Sequence, residues 1–183
     1  MRVITGSARG RRLLSPEGAD IRPTTDKVKE SIFNIIQFEL EDANVLDLFA
    51  GSGQLGIEAL SRGAKRTVFV DSSKKSLDIV KKNIELCKFS SCAHTVFSDA
   101  IAFLRGTSEK FDIVFLDPPY HNSLCNKALE NISPCLNDEA VVICETQTDE
   151  ILPEKAGELN VVREYCYSAI KLTVYRKNSV CGE

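Results

Sequence analysis

Phe111-Asp112-Ile113-Val114-Phe115-Leu116-Asp117-Pro118-Pro119-Tyr120 begins as a strand and stops at a carboxylate, two prolines and an aromatic ring. The apolar, β-branched first half predicts a strand buried on both faces. Neither proline has an N–H and each fixes its own φ, so the turn that follows is stiff and keeps its carbonyls free. Such a turn can grip a flat group that carries an exocyclic amine. The carboxylate and a carbonyl accept its two N–H bonds while the ring stacks on its face. Asp-Pro also ends many ordinary strands, and on these ten residues alone that reading stands beside the first.

Working outward, residues 44–116 repeat strand and helix. Val45–Ala50 predicts a first strand, Gly51-Ser52-Gly53-Gln54-Leu55-Gly56 a turn into a helix that ends near Ser61–Gly63, and Thr67–Asp71 a second strand. Ser73 caps a helix through Ile84, Thr95–Ser98 predicts a weaker third strand, and a short helix runs to Leu104. The opening strand comes fourth, then a helix over Leu124–Ile132 and a fifth strand over Ala140–Cys144. Val161–Tyr167 and Ile170–Tyr175 alternate around Ser168-Ala169, which predicts an antiparallel end. The pattern is that of a mixed, mostly parallel seven-stranded sheet with helices on both faces. A ligand cleft is then expected outside the C-terminal ends of the strands, where the strand order reverses.

Ahead of this core, residues 1–16 predict a hairpin, Arg2–Thr5 against Arg11–Leu14, joined by Gly6–Gly10. Strands this short have to lean on the main body. Thr24 or Thr25 is the expected N-cap of a helix that reaches about Leu40, with Val28, Ile32, Ile35 and Ile36 on one face. The chain reads as one domain, with residues 1–43 as an extension and 44–177 as the core.

Composition narrows the partners. A hydrophobic fraction of 43% and a charged fraction of 27% belong to a globular protein, and no stretch has the length of a membrane span. Seven cysteines without a C-x-x-C pair, several inside apolar runs, read as buried thiols in a reducing, cytoplasmic setting. Two histidines make a histidine-rich metal site unexpected. The net charge of −3 opposes a polyanionic partner, yet Arg2, Arg9, Arg11 and Arg12 have no acid among residues 1–12. A basic end on an acidic body can orient a polyanion, although a solvated terminus has the same composition.

The glycines and acids discriminate among cofactors. Gly51, Gly53 and Gly56 are expected to aim helix N–H groups at an anion. The glycine loop with Asp71, 20 residues after Gly51, fits an adenosine-type cofactor whose ribose hydroxyls the carboxylate holds. Asp47, just ahead of the glycines, repels a pyrophosphate but suits an ammonium. Asp99, at the end of the third strand, can accept from an adenine amine or cap the next helix.

Asp47-Leu48-Phe49-Ala50-Gly51-Ser52-Gly53 followed by Asp117-Pro118-Pro119-Tyr120 resembles a class I S-adenosylmethionine-dependent methyltransferase acting on an exocyclic amine. The whole chain resembles, more closely, the RsmD family of 16S rRNA guanine(966)-N(2)-methyltransferases. The likeness includes Arg2–Gly6, Arg9–Leu13, Arg22–Val28, Leu60–Ala64 and Leu172–Tyr175; Asp71 stands where family members often carry Glu. The resemblance implies a Rossmann-like fold, S-adenosylmethionine as cofactor with no metal, and small-subunit rRNA or its assembling particle as partner of a monomeric enzyme. It assigns catalysis to Asp117, Pro118 and Tyr120. Cofactor contacts go to Asp47, Gly51, Ser52, Gly53, Gly56, Asp71, Ser72, Asp99 and Ala100. Substrate contacts go to Arg9, Arg11, Arg12, Arg22, Thr24, Pro119 and His121. An adenine-N6 or protein-glutamine methyltransferase and a non-catalytic RNA-binding module remain as alternatives, because related Pro-Pro-Tyr motifs serve other amines.

Overall fold

A computed structural model describes residues 1–15, 26–119 and 123–177. The elements in chain order are α1 (Asp26–Ile35), β1 (Asn44–Asp47), α2 (Gln54–Ser61), β2 (Arg66–Asp71), α3 (Lys74–Cys87), β3 (Ala93–Phe97) and α4 (Ala100–Gly106). They continue with β4 (Phe111–Leu116), α5 (Leu124–Ile132), β5 (Leu136–Gln147), β6 (Lys155–Ala156), β7 (Leu159–Tyr167) and β8 (Ile170–Lys177).

The apolar run that opens the sequence reading becomes β4, and it lies inside the sheet because both its faces need cover. The eight strands are ordered β3-β2-β1-β4-β5-β8-β7-β6. β1 pairs in parallel with both β2 and β4, and β5 continues the parallel set. β8 then runs antiparallel to β5, and β7 antiparallel to β8. The order reverses between β1 and β4, and Asp47 pairs with Phe115 there. The ends of β1 and β4 therefore open onto a common crevice, the position where open α/β sheets bind ligands.

Two cores flank the sheet. α1, α2 and α3 pack on one face through Ile32, Phe33, Ile57, Val80 and Ile84 against Phe69, Phe115, Ile143 and Leu172. α4 and α5 pack on the other through Leu104, Ala128, Leu129 and Ile132 against Val68, Val114 and Val142. Gly56 brings α2 close to β2: a Cβ there would meet Phe69 Cε1 at 2.3 Å and Thr67 Cγ2 at 2.8 Å.

The expected fold class stands, with differences that have local causes. The sheet has eight strands instead of seven, because β6 adds two residues through a turn at Gly157 (φ 61). A two-residue strand shows no alternation to read. β5 starts at Leu136, before the expected Ala140, and the polar Asn137-Asp138-Glu139 sits where the β4–β5 register shifts. α1 ends at Ile35, short of Leu40. Ile36 and Leu40 remain buried beyond its end, and the chain reverses through Asp42 (φ 57) to enter β1. The expected cap at Thr24 or Thr25 lies outside the described residues.

The N-terminal hairpin is present with a single bridge, Arg2 to Arg12, instead of two formed strands. Val3 N donates to Arg11 O at 2.9 Å and Gly10 N to Val3 O at 2.9 Å. Leu13 N also donates to Met1 O at 3.1 Å, and the backbone between these bonds turns to the main body. Ile4 N and Thr5 N donate to the Glu58 carboxylate, and Ala8 N donates to Ser61 Oγ. All eight residues of α2 are consequently buried.

Candidate active site

The crevice is built from strand ends. Gly53 enters α2 at φ 76 and has no side chain to cap the helix. The third N–H of α2, on Gly56, is satisfied by Asp47 Oδ2 at 3.0 Å, so the carboxylate that ends β1 serves as a remote cap. Asp71, at the end of β2, accepts from Gly51 N at 2.8 Å and from Ser73 N at 2.7 Å. Gly53 N donates to Ala50 O at 2.6 Å. The N–H groups of Gly51, Gly53 and Gly56 therefore face protein oxygens. The expected cradle of free N–H groups for an anion is not available at these three residues.

Asp47 is the most perturbed group in the crevice. It is 3% exposed, and burial pushes its carboxyl from the ordinary 3.8 up to about 8. The Gly56 N–H opposes that rise, while the nearby charges of Asp117 and Asp71 add to it. Asp117 is half-buried directly after β4, Pro118 is buried and Pro119 is exposed. Three carboxyl groups thus converge at the switch between β1, β2 and β4. Such a site favours a cationic ligand and penalises a pyrophosphate.

The remaining assignments separate. Asp99 is exposed and caps α4, with Oδ1 accepting from Ile101 N at 2.9 Å and Ala102 N at 3.0 Å; Ala100 behind it is buried. The capping alternative is therefore realised, and an exposed carboxylate retains acceptor capacity beyond those two bonds. Ser52 is buried in the glycine loop and Ser72 is exposed beside Asp71. Tyr120, His121, Arg22 and Thr24 lie outside the described residues.

Arg9, Arg11 and Arg12 are exposed, and the way the hairpin is fastened sets their direction. Its open end lies at the glycine loop, where Ser52 Oγ approaches Met1 Sδ at 3.3 Å. Its tip lies at the far end of α2, where a Cβ on Gly6 would fall 1.7 Å from Ser61 O. Arg9 at the tip is thus carried away from the crevice along the flank of α2.

Four buried polar residues that the sequence reading passed over do the fastening. Glu58 accepts from Ile4 N (2.7 Å), Thr5 N (2.9 Å) and Arg62 Nε (2.8 Å). Lys29 lies 3.8 Å from the same carboxylate and donates to Arg2 O at 2.5 Å. Burial lowers the Lys29 pKa, and Glu58 works against that shift. Ser61 Oγ donates to Thr5 O at 2.6 Å. Asn83 of α3 accepts from Leu14 N at 2.8 Å and donates to Leu14 O (3.0 Å) and Ser52 O (2.9 Å). The available signal was a polar residue in the apolar face of an amphipathic helix, as at Glu58 within Gln54–Ser61.

Comparison with known proteins agrees with this architecture. The family model described as conserved hypothetical protein 95 matches residues 1–176. A Bacillus subtilis protein named "Putative rRNA methyltransferase YlbH" is 40% identical over 182 residues, covering 97% of this chain and 99% of that protein. Ribosomal RNA small subunit methyltransferase D of Escherichia coli K12 is 33% identical over 181 residues, covering 98% of this chain and 91% of its own. The solved structure "Putative methyltransferase yhhF from Escherichia coli" superposes with a TM-score of 0.88 at 34% identity, over 97% of this chain and 98% of that one. With its crevice at the β1–β4 switch and these matches over nearly its full length, the chain belongs to the conserved hypothetical protein 95 family, the RsmD family of methyltransferases.

Proposed function

We propose that this chain transfers a methyl group from S-adenosylmethionine to the exocyclic N2 of one guanine in small-subunit rRNA, a site of the guanine(966) type. The observation that carries the reading is the buried Asp47 beside Asp71 and Asp117. A carboxyl held near pH 8 gains most from a ligand that brings positive charge. The ammonium of the cofactor's methionine moiety fits it, and the ribose hydroxyls fit Asp71, whose two oxygens accept one N–H bond each, from Gly51 and Ser73, and keep further acceptor capacity.

When bound, S-adenosylmethionine supplies a methyl group on a sulfonium, which is already a good leaving group. The chain's task is then the nucleophile, because the guanine N2 lone pair is delocalised into the ring. Asp117 and the Pro118 carbonyl accept the two N–H bonds of that amine, which localises the lone pair and stabilises the charge that develops on attack. Asp117 or solvent takes the departing proton. Tyr120 is assigned to stacking on the base, worth about 1–3 kcal/mol. The target base first leaves its own stack at a cost of a few kcal/mol, and hairpin contacts to the RNA backbone offset part of that.

The test is mass spectrometry of rRNA nucleosides, with mapping, from cells lacking this protein. One N2-methylguanosine should disappear from the small-subunit rRNA and return with the wild-type chain. Unchanged nucleosides would overturn the reading.

A further inference from the structure

We propose that the N-terminal hairpin and one flank of α3 form a single surface for the phosphodiester backbone of the RNA, with Lys75 and Lys82 extending the row of Arg9, Arg11 and Arg12. The inference rests on the reading of the chain as an rRNA methyltransferase and locates the substrate's path away from the crevice.

Asn83 fixes the geometry. It is fully buried and holds Leu14 by both backbone groups, so the arm that leaves the hairpin lies against α3. Arg11 is close enough to the C-terminal end of α3 for its charge to act on the Cys87 thiol. At 100° per residue, Leu86 follows about 60° around the helix from Asn83, on the solvent side of the arm. Lys75 and Lys82 lie about 20–40° further on. Seven residues separate these two lysines, so they stand on one line about 10 Å apart.

Arg9, Arg11, Arg12, Lys75 and Lys82 are exposed, and none of them forms an ion pair with a described residue. Arg2, Arg62, Arg66, Arg176, Lys171 and Lys177 are each paired with an acid, whereas Lys81 and Lys88 on the opposite flank of α3 are as unpaired as Lys75 and Lys82, so it is the position beside the hairpin that distinguishes the two pairs. Asp78, three residues after Lys75 and four before Lys82, and Glu85, three after Lys82, are their exposed helix neighbours and offset part of their charge from the side away from the hairpin. Leu14 and Leu86, 45% and 43% exposed, sit between the two basic rows and offer apolar contact to sugar and base faces. Unpaired cations in line with apolar gaps complement a nucleic acid strand.

The test compares two variants that remove the same charge from opposite flanks of α3, K75A/K82A and K81A/K88A, as full chains. Binding of a short stem–loop RNA is titrated with salt by fluorescence anisotropy, and calorimetry with S-adenosylhomocysteine reports the cofactor site. K75A/K82A should lower the slope of log K against log salt by about 1.4 to 1.8, while K81A/K88A stays near wild type and both keep wild-type cofactor affinity. Equal slopes in the two variants, whether both changed or both unchanged, overturn the surface. A wild-type chain that binds S-adenosylhomocysteine but no RNA overturns the rRNA reading, and the surface with it.

Discussion

Glu58 accepts the backbone N–H of Ile4 at 2.7 Å across 54 residues of sequence, and the same carboxylate faces Lys29 with neither side chain exposed. One acid therefore joins the hairpin, α1 and α2. Glu58→Ala would leave a buried ammonium without its counter-charge and two backbone donors without their acceptor, and should cost about 3–5 kcal/mol. Denaturant unfolding measures the loss, and hydrogen exchange locates it. The amides of Ile4 and Thr5 should lose protection first, and retained protection there would refute the fastening role.

Asp47 should make the stability of the ligand-free chain depend on pH. Its carboxyl holds a proton to about pH 8 when folded and ionises near 3.8 otherwise. Its contribution is thus complete below about pH 4 and is lost as pH rises through 8. The melting temperature of the wild type should fall relative to Asp47→Asn over that window, and the variant should lose cofactor affinity. At neutral pH, binding of S-adenosylhomocysteine should expel the proton, so calorimetric heats will differ between phosphate and Tris buffers. Equal heats would mean that Asp47 is already ionised.

Asp117→Ala separates chemistry from cofactor binding. With the acceptor for the target amine gone, methyl transfer should fall by about 10²–10³ or more, while S-adenosylhomocysteine affinity stays nearly intact. Single-turnover rates and calorimetry on the same preparation decide the point. A parallel loss of both would move Asp117 from the substrate to the cofactor.

Gly56→Ala addresses packing, because the added Cβ meets the Phe69 ring at 2.3 Å. A cost of about 1–3 kcal/mol is expected from overpacking. Phe69→Leu in the same chain should recover part of it, since the two positions share the clash. Additive losses would place the strain elsewhere.

The β4 run, the glycine turn and the acids at strand ends were legible in the sequence because each depends on local pattern. A strand such as Ile113–Leu116, buried on both faces, announces itself as an unbroken apolar run without alternation, and the carboxylates stand at the strand ends or within two residues of them. What the pattern did not reveal is where polar groups go when buried. Asn83 and Glu58 stand in helices and bond to residues 69 and 54 positions away, pairings that only the folded chain defines. The loop donors show the same limit. Glycine spacing suggested N–H groups free for an anion, yet Asp71 and Asp47 arrive from β2 and β1 to occupy two of them.

The distance in sequence between the hairpin and its anchors also sets an order of events during translation. Residues 1–15 emerge well before Glu58, Ser61 and Asn83, and the bond from Leu14 to Asn83 spans 69 residues. At ordinary elongation rates that gap lasts roughly 3 to 14 s. The arginine-rich segment stays undocked on the nascent chain throughout, and its attachment can be completed only after α3 has cleared the exit tunnel.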